Sequence, residues 1–450
     1  MNKSNYSRRD FLKGLGLGAA SLAMPACTPN SNTSEKPNIV FIMADDVGTE
    51  VLGCYGGTTY KTPNLDKLAE TGTRFTHCYS SPVCAPSRVK LMTGRYGFRN
   101  YKRWGHIPPD EITFGHVLQS AGYATALAGK WQMVLQKNDP NHVTKMGFQQ
   151  NCVFGWHEGP RYYGPMIYEN GKVRTEPENV YGPDVYCSFL TDFIKANKGK
   201  PFLAYYSMTV AHAISNDLEV PPPVGPLGRY KTYAELVDDM DKLVGRVVSA
   251  LEKLNLRRNT LVLFVGDNGT PDAHIVRVEN GKYIEEPIIS KMGDKTVVGG
   301  KGKLTDAGTH VPLIANWPGT TPAGKVCNDL VDFSDFMPTF AELGSAQLPA
   351  DRKIDGVSFA RQLKGQRGNP RKWAYCQWNG KAWARTQRYK LYRDGRLFDM
   401  QNDSLEKSPV IPDADTQQTL AVRKKLCPVF DTLNPDFPSK SLKKSENLIV

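Results

Sequence analysis

Uninterrupted apolar runs of strand length recur along this chain. The clearest is Asn-Ile-Val-Phe-Ile-Met-Ala at positions 38–44, and similar runs occupy positions 123–129, 201–210, 260–265 and 311–317. Strands that are covered on both faces show continuous hydrophobic runs, whereas strands with one wet face alternate. The pattern therefore predicts an α/β fold whose strands lie in a sheet buried between layers of helices.

Helical periodicity and alternation predict the remaining elements. Apolar residues at i, i+3, i+4 and i+7 across 233–254 predict a long amphipathic helix on the sheet, with Asp241 on a solvated face. Residues 270–298 show weak periodicity and are interpreted as a long loop that shapes a binding cleft. After a Gly-, Pro- and charge-rich stretch, alternation at 383–392 and 396–400 predicts two strands of a smaller C-terminal α+β region.

Composition and charge narrow the class of protein. The 450 residues are 40% hydrophobic and 23% charged, which is typical of a soluble globular protein. A formal net charge of +12 suits an anionic partner, for which a sulfated polymer serves as well as a nucleic acid. Zinc-knuckle spacing and aromatic RNA-binding strings are lacking, so no nucleic-acid partner is predicted.

The N-terminus has the layout of a bacterial twin-arginine export signal. Arg8-Arg9 precede a short small-residue and apolar run at 14–26, too short for a membrane span of about 20 residues. Residues 1–36 are therefore predicted to be signal and linker, with the twin-arginine translocase as partner and the periplasm or cell surface as destination. Cys27 follows Met-Pro-Ala, a loose lipoprotein box, so a lipid anchor at Cys27 stays an alternative to a free mature protein.

Carboxylates follow two of the buried runs. Asp45-Asp46 come after the first run and Asp267-Asn268 after the run at 260–265. Adjacent carboxylates repel each other unless a cation or an arginine lies between them, although a solvated turn also accommodates them. Ligands of α/β sheets bind beyond the carboxyl ends of strands, and carboxylate and amide oxygens suit Ca²⁺ or Mg²⁺. The sequence predicts one metal site from both pairs.

The stretch from Val83 to Arg95 carries a thiol. Pro86 favours a helix start, which puts Cys84 at the positive end of that helix and Arg88 one turn further in. A buried structural cysteine is the plain alternative. The full string C-x-P-S-R-x-x-x-x-T-G-R, however, resembles the signature of the formylglycine-dependent sulfatases, whose cysteine is oxidised to formylglycine (3-oxoalanine). The Asp-Asp and Asp-Asn pairs occur in the order of that family.

This resemblance implies a fold, a cofactor and partners. The fold is the alkaline-phosphatase-like one, a large, mixed, mostly parallel sheet flanked by helices, with a catalytic domain at 37–345 and a C-terminal α+β subdomain at 346–450. It implies Ca²⁺, rather than Mg²⁺, on Asp45, Asp46, Asp267, Asn268 and the modified Cys84. A formylglycine-generating or anaerobic sulfatase-maturating enzyme modifies the chain. The expected substrate is a sulfated carbohydrate, a polysaccharide or a glycosaminoglycan fragment.

The resemblance also implies roles for four residues between and after these motifs. Lys130 falls on a lysine that contacts the sulfate oxygens, and Gln132 replaces the histidine of the family's G-K-W-H, which leaves a positioning role without titration. His212 matches a histidine near the ester oxygen. Lys301 matches the active-site lysine of G-K-G, while Asp306, Ala307 and His310 replace the family's Glu, Gly and Arg.

The implied reaction is hydrolysis of a sulfate monoester. A hydroxyl of the formylglycine hydrate, held by Arg88 and the metal, attacks sulfur while Lys130 and Lys301 take up oxygen charge and His212 assists the departing alcohol. The second hydroxyl then loses its proton and expels sulfate. Two alternatives remain: a phosphate or phosphonate monoester hydrolase of the same superfold, and a non-catalytic sulfated-glycan binding protein.

Overall fold

A ten-stranded sheet forms the centre of the molecule. The structure, a computed structural model, describes residues 36–214 and 221–433; the predicted signal, including Cys27, lies outside them except for Lys36. The strands of this sheet are β1 Asn38–Ala44, β2 Thr73–Tyr79, β3 Ala124–Gly129, β4 Gln150–Phe154, β5 Met166–Glu169, β6 Lys172–Thr175, β7 Phe202–Ser207, β8 Thr260–Gly266, β13 His310–Asn316 and β14 Lys325–Asp332. Their order across the sheet is β14-β2-β13-β8-β1-β7-β3-β4-β5-β6.

The middle of the sheet is parallel, which confirms the predicted fold class. Strand β1 pairs in parallel with β7 on one side and β8 on the other, so Ala44 lies level with Gly266. Alternate residues of β1 enter two different cores: Ile42 packs on one face and Phe41 on the other. Because both faces are dry, each position must be apolar, and this explains the unbroken hydrophobic run.

Helices cover both faces of the sheet. The predicted amphipathic helix is confirmed over Tyr233–Lys253, and Thr232 caps it by accepting a hydrogen bond from the Glu235 backbone N–H. The other α-helices of the described residues are Pro63–Glu70, Cys84–Thr93, Gly97–Asn100, Phe114–Ser120, His142–Lys145, Gly182–Ala196, Asp306–Thr309, Phe336–Gly344, Ala360–Leu363 and Gln417–Leu433. Within the described ranges no helix combines the length and apolarity needed to cross a membrane.

Asp241 is an exception to the predicted solvated face of the long helix. It is only 2% exposed, and its carboxylate accepts hydrogen bonds from the backbone N–H groups of Asn64 and Leu65. These N–H groups belong to the first turn of helix Pro63–Glu70, which has no partner for them within the helix. Asp241 therefore joins two helices that are 176 residues apart in sequence.

The predicted loop at 270–298 is wrong in detail, because it folds into two antiparallel hairpins. The first pairs β9 (Ala273–Glu279) with β10 (Lys282–Pro287), and the second pairs β11 (Ile289–Met292) with β12 (Lys295–Val298). Asn280-Gly281 forms the first turn with φ of 49° and 74°. Asn-Gly between strands is a strong hairpin signal, and the sequence interpretation missed it.

A separate four-stranded antiparallel sheet follows near the C-terminus. Its strands are β15 Ala374–Trp378, β16 Lys381–Arg385, β17 Tyr389–Tyr392 and β18 Leu397–Asp399. The single strand predicted at 383–392 is therefore two strands, because Thr386 closes a turn by donating its backbone N–H to the Tyr389 carbonyl. Trp383 is fully buried and meets the Tyr79 ring edge-on, 5.6 Å between centroids, so it packs this sheet against β2.

Candidate active site

The thiol of Cys84 lies at the start of helix Cys84–Thr93, two residues before Pro86. The turn before it is fixed by Ser87, whose hydroxyl accepts the Ser81 N–H at 3.0 Å. Cys84 is 3% exposed, and its Sγ donates to Gln132 Oε1 at 3.2 Å. Burial raises the pKa of the thiol, so the unmodified cysteine is protonated at neutral pH.

The two acidic pairs meet at the carboxyl ends of β1 and β8, as predicted from sequence. The Asp46 backbone N–H donates to Asp267 Oδ1 at 3.0 Å, and Asn268 Nδ2 donates to Asp46 Oδ1 at 2.8 Å. Asp46 has a φ of 64°, in the left-handed region that few non-glycine residues adopt. This turn brings Asp45 and Asp46, both fully buried, into one site with Asp267 and Asn268.

Three cationic side chains face these carboxylates. Lys130 Nζ lies 2.6 Å from Asp45 Oδ2, and Lys301 Nζ lies 2.6 Å from Asp46 Oδ2. Arg88 donates through Nε and a terminal nitrogen to Asp267 Oδ2 at 3.0 and 2.7 Å. Burial, the largest single cause, raises the pKa of each carboxyl, but the surrounding positive charges together outweigh it. Lys130 contributes most of this lowering at Asp45 and Lys301 at Asp46, so both pKa values lie below their ordinary range.

Two oxygen atoms of this cluster have no hydrogen-bond partner among the described residues: Asp45 Oδ1 and Asn268 Oδ1, both buried. The nearest guanidinium nitrogen of Arg88 is 3.8 Å from Asp45 Oδ1, which is too far for a hydrogen bond. Ligand atoms of Asp45, Cys84 and Asp267 lie within 4.8 Å of one another. Unpartnered oxygens in a carboxylate-rich site fit a hard divalent cation, Ca²⁺ or Mg²⁺.

His212 faces the same cluster with a defined ring nitrogen. Its Nδ1 contacts the Ala213 carbonyl at 2.7 Å, which assigns the ring proton to Nδ1, and Nε2 lies 3.1 Å from Lys301 Nζ. Burial, and then the positive charge of Lys301, lower the pKa of His212 to about 3. The imidazole is therefore neutral and accepts a hydrogen bond from the Lys301 ammonium group.

All ten residues that the sequence analysis assigned to the site thus lie together; their individual roles stay predictions. Sequence reasoning missed Ser207, whose Oγ accepts a hydrogen bond from Arg88 and donates to the Lys130 carbonyl at 2.5 Å. It also missed Tyr233, whose hydroxyl donates to the Asp46 carbonyl at 2.7 Å. In the sequence, Ser207 is marked only as the end of strand β7, and Tyr233 only as part of the apolar stripe of helix Tyr233–Lys253.

The loop that carries Lys301 is held by the C-terminal sheet. Asp306 accepts two hydrogen bonds from Arg385, both at 2.8 Å, and one from Lys390 at 3.0 Å. The Asp306 backbone N–H donates to Glu406 at 2.7 Å, and Glu406 also accepts from Lys390 at 2.7 Å. We call these four residues the Asp306 network. At the end of the same loop, His310 stacks on Tyr79 with centroids 5.1 Å apart.

Known proteins resemble this chain over most of its length. Residues 37–346 match the family described as Sulfatase, and residues 300–428 match the family described as N-sulphoglucosamine sulphohydrolase, C-terminal. Arylsulfatase G of Rattus norvegicus is 30% identical over 447 residues, 83% of this chain and 82% of that protein. N-acetylgalactosamine-6-sulfatase of Canis lupus familiaris is 30% identical over 394 residues, 79% of this chain and 69% of that protein.

A solved structure gives the same result for the fold. The crystal structure of Ps i-CgsB superposes with a TM-score of 0.71 at 27% identity, covering 90% of this chain and 94% of that one. A complex of the same protein with k-i-k-neocarrahexaose superposes with a TM-score of 0.70. From its sequence, its fold and the residues gathered around Cys84, the chain is a sulfuric ester hydrolase and belongs to the formylglycine-dependent sulfatases of the alkaline-phosphatase-like fold.

Proposed function

We propose that this sulfatase hydrolyses sulfate monoesters of a sulfated carbohydrate, using a formylglycine made from Cys84 and a Ca²⁺ ion. The observation that carries the cofactor proposal is the pair of buried, unpartnered oxygens on Asp45 and Asn268, within a site that also contains the Cys84 side chain. The carbohydrate class is supported by Ps i-CgsB, solved with a neocarrahexaose, and by the similarity to an N-acetylgalactosamine-6-sulfatase. The net charge of +12 also suits an anionic glycan.

Formylglycine and a cation would supply a nucleophile and positive charge. Formylglycine at residue 84 would supply the nucleophilic oxygen, and Asp45, Asp46, Asp267 and Asn268 would hold the cation, which would supply Lewis-acid stabilisation of oxygen charge. Arg88 is fixed by Asp267 and Ser207, so its position does not depend on substrate. This rigidity suits preorganised electrostatic stabilisation, which avoids reorganisation during the reaction.

The remaining residues of the site handle the sulfate and the departing alcohol. Lys130 and Lys301 bring two positive charges to the sulfate oxygens. Lys301 Nζ and His212 Nε2 lie 3.1 Å apart, and the hydrogen bond between them contains the proton that the leaving oxygen needs. Because the pKa of His212 is lowered to about 3 by burial and then by Lys301, the lysine holds this proton before reaction. Gln132, which contacts the side chain of residue 84 and does not titrate, would position that side chain.

The nucleophile is tested by mass spectrometry and turnover together. Peptides that span residue 84 are expected to carry formylglycine in place of cysteine in protein that releases sulfate. Cys84→Ala is expected to abolish sulfate release, whereas Cys187→Ala, at a buried thiol outside the site, retains it. Full activity with an unmodified thiol at residue 84 would refute the proposal.

The substrate class is tested with a panel of esters on protein whose formylglycine is verified. The panel contains carrageenan, ulvan, fucoidan and glycosaminoglycan fragments together with nitrophenyl sulfate and nitrophenyl phosphate. Sulfate release from at least one saccharide is expected to exceed phosphate release from the aryl phosphate. Faster release of phosphate than of sulfate across the panel would favour the phosphatase alternative instead.

We propose in addition that the chain is exported by the twin-arginine route after modification. Arg8 and Arg9 are the residues that carry this proposal. Replacing both with Lys is expected to keep the protein in the cytoplasm of a bacterial host, measured by cell fractionation. Unchanged delivery to the periplasm of the doubly substituted chain would contradict it.

A further inference from the structure

A cavity of about 350 Å³ opens beside the active site. One of its walls is formed by Asp46, His212 and Lys301, and another by the hairpin of strands β9 and β10. The hairpin contributes His274, Ile275, Tyr283 and Glu285 to the lining. The cavity therefore joins the sulfate-binding lysine to a surface that has no role in the proposed reaction.

His274 is unusual among the residues of this wall. It is 8% exposed, and neither of its ring nitrogens has a hydrogen-bond partner among the described residues. Burial lowers the pKa of His274, so the ring is neutral and offers one donor and one acceptor. Buried polar groups in native proteins are nearly always paired, and an exception that lines a binding cavity indicates a missing partner.

The chemistry of the cavity matches a sugar ring. A sugar hydroxyl both donates and accepts a hydrogen bond, as does neutral His274. Ile275, Ile214 and Tyr283 supply apolar and aromatic surface for the C–H faces of the ring. Glu285 places a carboxylate on the same wall, where a second sulfate or a uronic carboxylate would be repelled.

We propose that this hairpin wall binds the sugar that carries the sulfate ester, with His274 hydrogen-bonded to a free hydroxyl of that sugar and Glu285 selecting against a second anionic substituent there. The inference rests on the proposed function and deepens it. His274 is a specificity-determining residue in this arrangement, separate from the residues that contact the sulfate group.

Binding tests the His274 contact without turnover. Calorimetry in a Cys84→Ala background uses N-acetylgalactosamine 6-sulfate, neocarrageenan oligosaccharides and inorganic sulfate as probes. His274→Ala is expected to weaken binding of the best saccharide about 5- to 20-fold, in the range of one lost hydrogen bond, with inorganic sulfate unchanged. His274→Gln, which keeps a donor and an acceptor, is expected to recover most of that loss.

Two controls separate the contact from a structural role. Arg277→Ala, on the same strand but pairing with Glu279 outside the cavity, is expected to leave saccharide binding unchanged. The unfolding midpoint of His274→Ala is expected to equal or exceed that of the parent, because the variant removes an unpaired buried polar ring. Equal losses for saccharide and inorganic sulfate, or no loss for either, would overturn the assignment.

Glu285 is tested by selectivity with a glutamate of the same hairpin as the matched control. Glu285→Gln is expected to raise kcat/KM for a disulfated sugar relative to its monosulfated form at least about 3-fold, whereas Glu279→Gln, whose carboxylate pairs with Arg277 outside the cavity, does not. Equal selectivity in both variants would refute this part. Verified formylglycine protein that releases sulfate from no saccharide ester would refute the proposed function, whereas hydrolysis of a saccharide ester with the same saccharide affinity in His274→Ala as in the parent would refute the sugar subsite alone.

Discussion

Arg385 offers a sharp test of how the C-terminal sheet supports the active site. Its side chain is 1% exposed, donates twice to Asp306 at 2.8 Å, and also donates to the carbonyls of Thr386 and Gln387. The guanidinium lies 4.3 Å from the centre of the Tyr79 ring. Arg385→Ala removes one partner of a buried ion pair, which costs about 3–5 kcal/mol of unfolding free energy.

The expected loss lies near the lower end of that range because Lys390 still contacts Asp306 at 3.0 Å. Urea unfolding measures the change in free energy, and Michaelis–Menten kinetics measure its effect on the Lys301 loop. We expect kcat/KM to fall about 10- to 100-fold, since small displacements of a charged group in an active site have effects of this size.

Arg388→Ala is the matched control. Arg388 lies in the turn between β16 and β17 and pairs with Asp399 at 2.7 Å, but its side chain is 41% exposed, so its removal is expected to cost little stability. In Arg385→Ala/Asp306→Ala the loss is expected to be smaller than the sum of the single losses, because no unpaired carboxylate remains. If Arg385→Ala matched Arg388→Ala within about 1 kcal/mol, the reasoning on burial would be refuted.

Three further predictions address protonation, metal and Gln132. His142 accepts a hydrogen bond from Trp131, and burial lowers the pKa of His142 from 6.5 to about 4. Between pH 6.5 and pH 4 the unfolded state therefore binds more protons than the folded state. About 3 kcal/mol of unfolding free energy is lost as the pH falls across this range. Urea unfolding of His142→Gln is expected to show a shallower fall, and an identical pH profile would contradict this. Ca²⁺ at about 1,000 times its dissociation constant is expected to add about 4 kcal/mol to the unfolding free energy. EDTA is expected to reverse this gain, and Asp45→Asn is expected not to show it. A Tm that Ca²⁺ leaves unchanged in the parent protein would contradict the prediction. Gln132→Ala is expected to lower kcat/KM about 10-fold without altering the pH profile of kcat/KM. Gln132→His is expected to add an ionisation between about pH 5 and 8 to that profile, because histidine titrates in this range. A changed pH profile in the alanine variant would contradict a purely positioning role for Gln132.

The sequence predicted those parts of the molecule whose cause is local. Unbroken apolar runs located the central strands because both faces of the sheet are dry, and the carboxylates that follow β1 and β8 therefore had to meet at one edge. The order of the motifs then identified the family by resemblance. The positions of the site residues followed from the ends of the buried strands and from this resemblance.

The parts that could not be predicted depend on partners distant in sequence. Asp241 looked solvated because its partners, Asn64 and Leu65, lie on another helix. Asp306 departs from the Glu of the family, and only the structure shows that it faces Arg385 and Lys390. The hairpins at 273–298 have short, mostly exposed strands, so their alternation is weak, although the Asn280-Gly281 turn was readable.

The Asp306 network also bears on the order in which a ribosome makes this enzyme. Lys390 and Glu406 lie 84 and 100 residues beyond Asp306, so the loop that carries Lys301 leaves the ribosome well before the residues that hold it. Cys84, in contrast, is made early and becomes buried inside the finished fold. A nascent chain that stops before Ala374 contains every site residue named above but lacks the sheet that fixes one of its two lysines. Synthesis of about the last sixth of the protein is therefore what completes the catalytic centre.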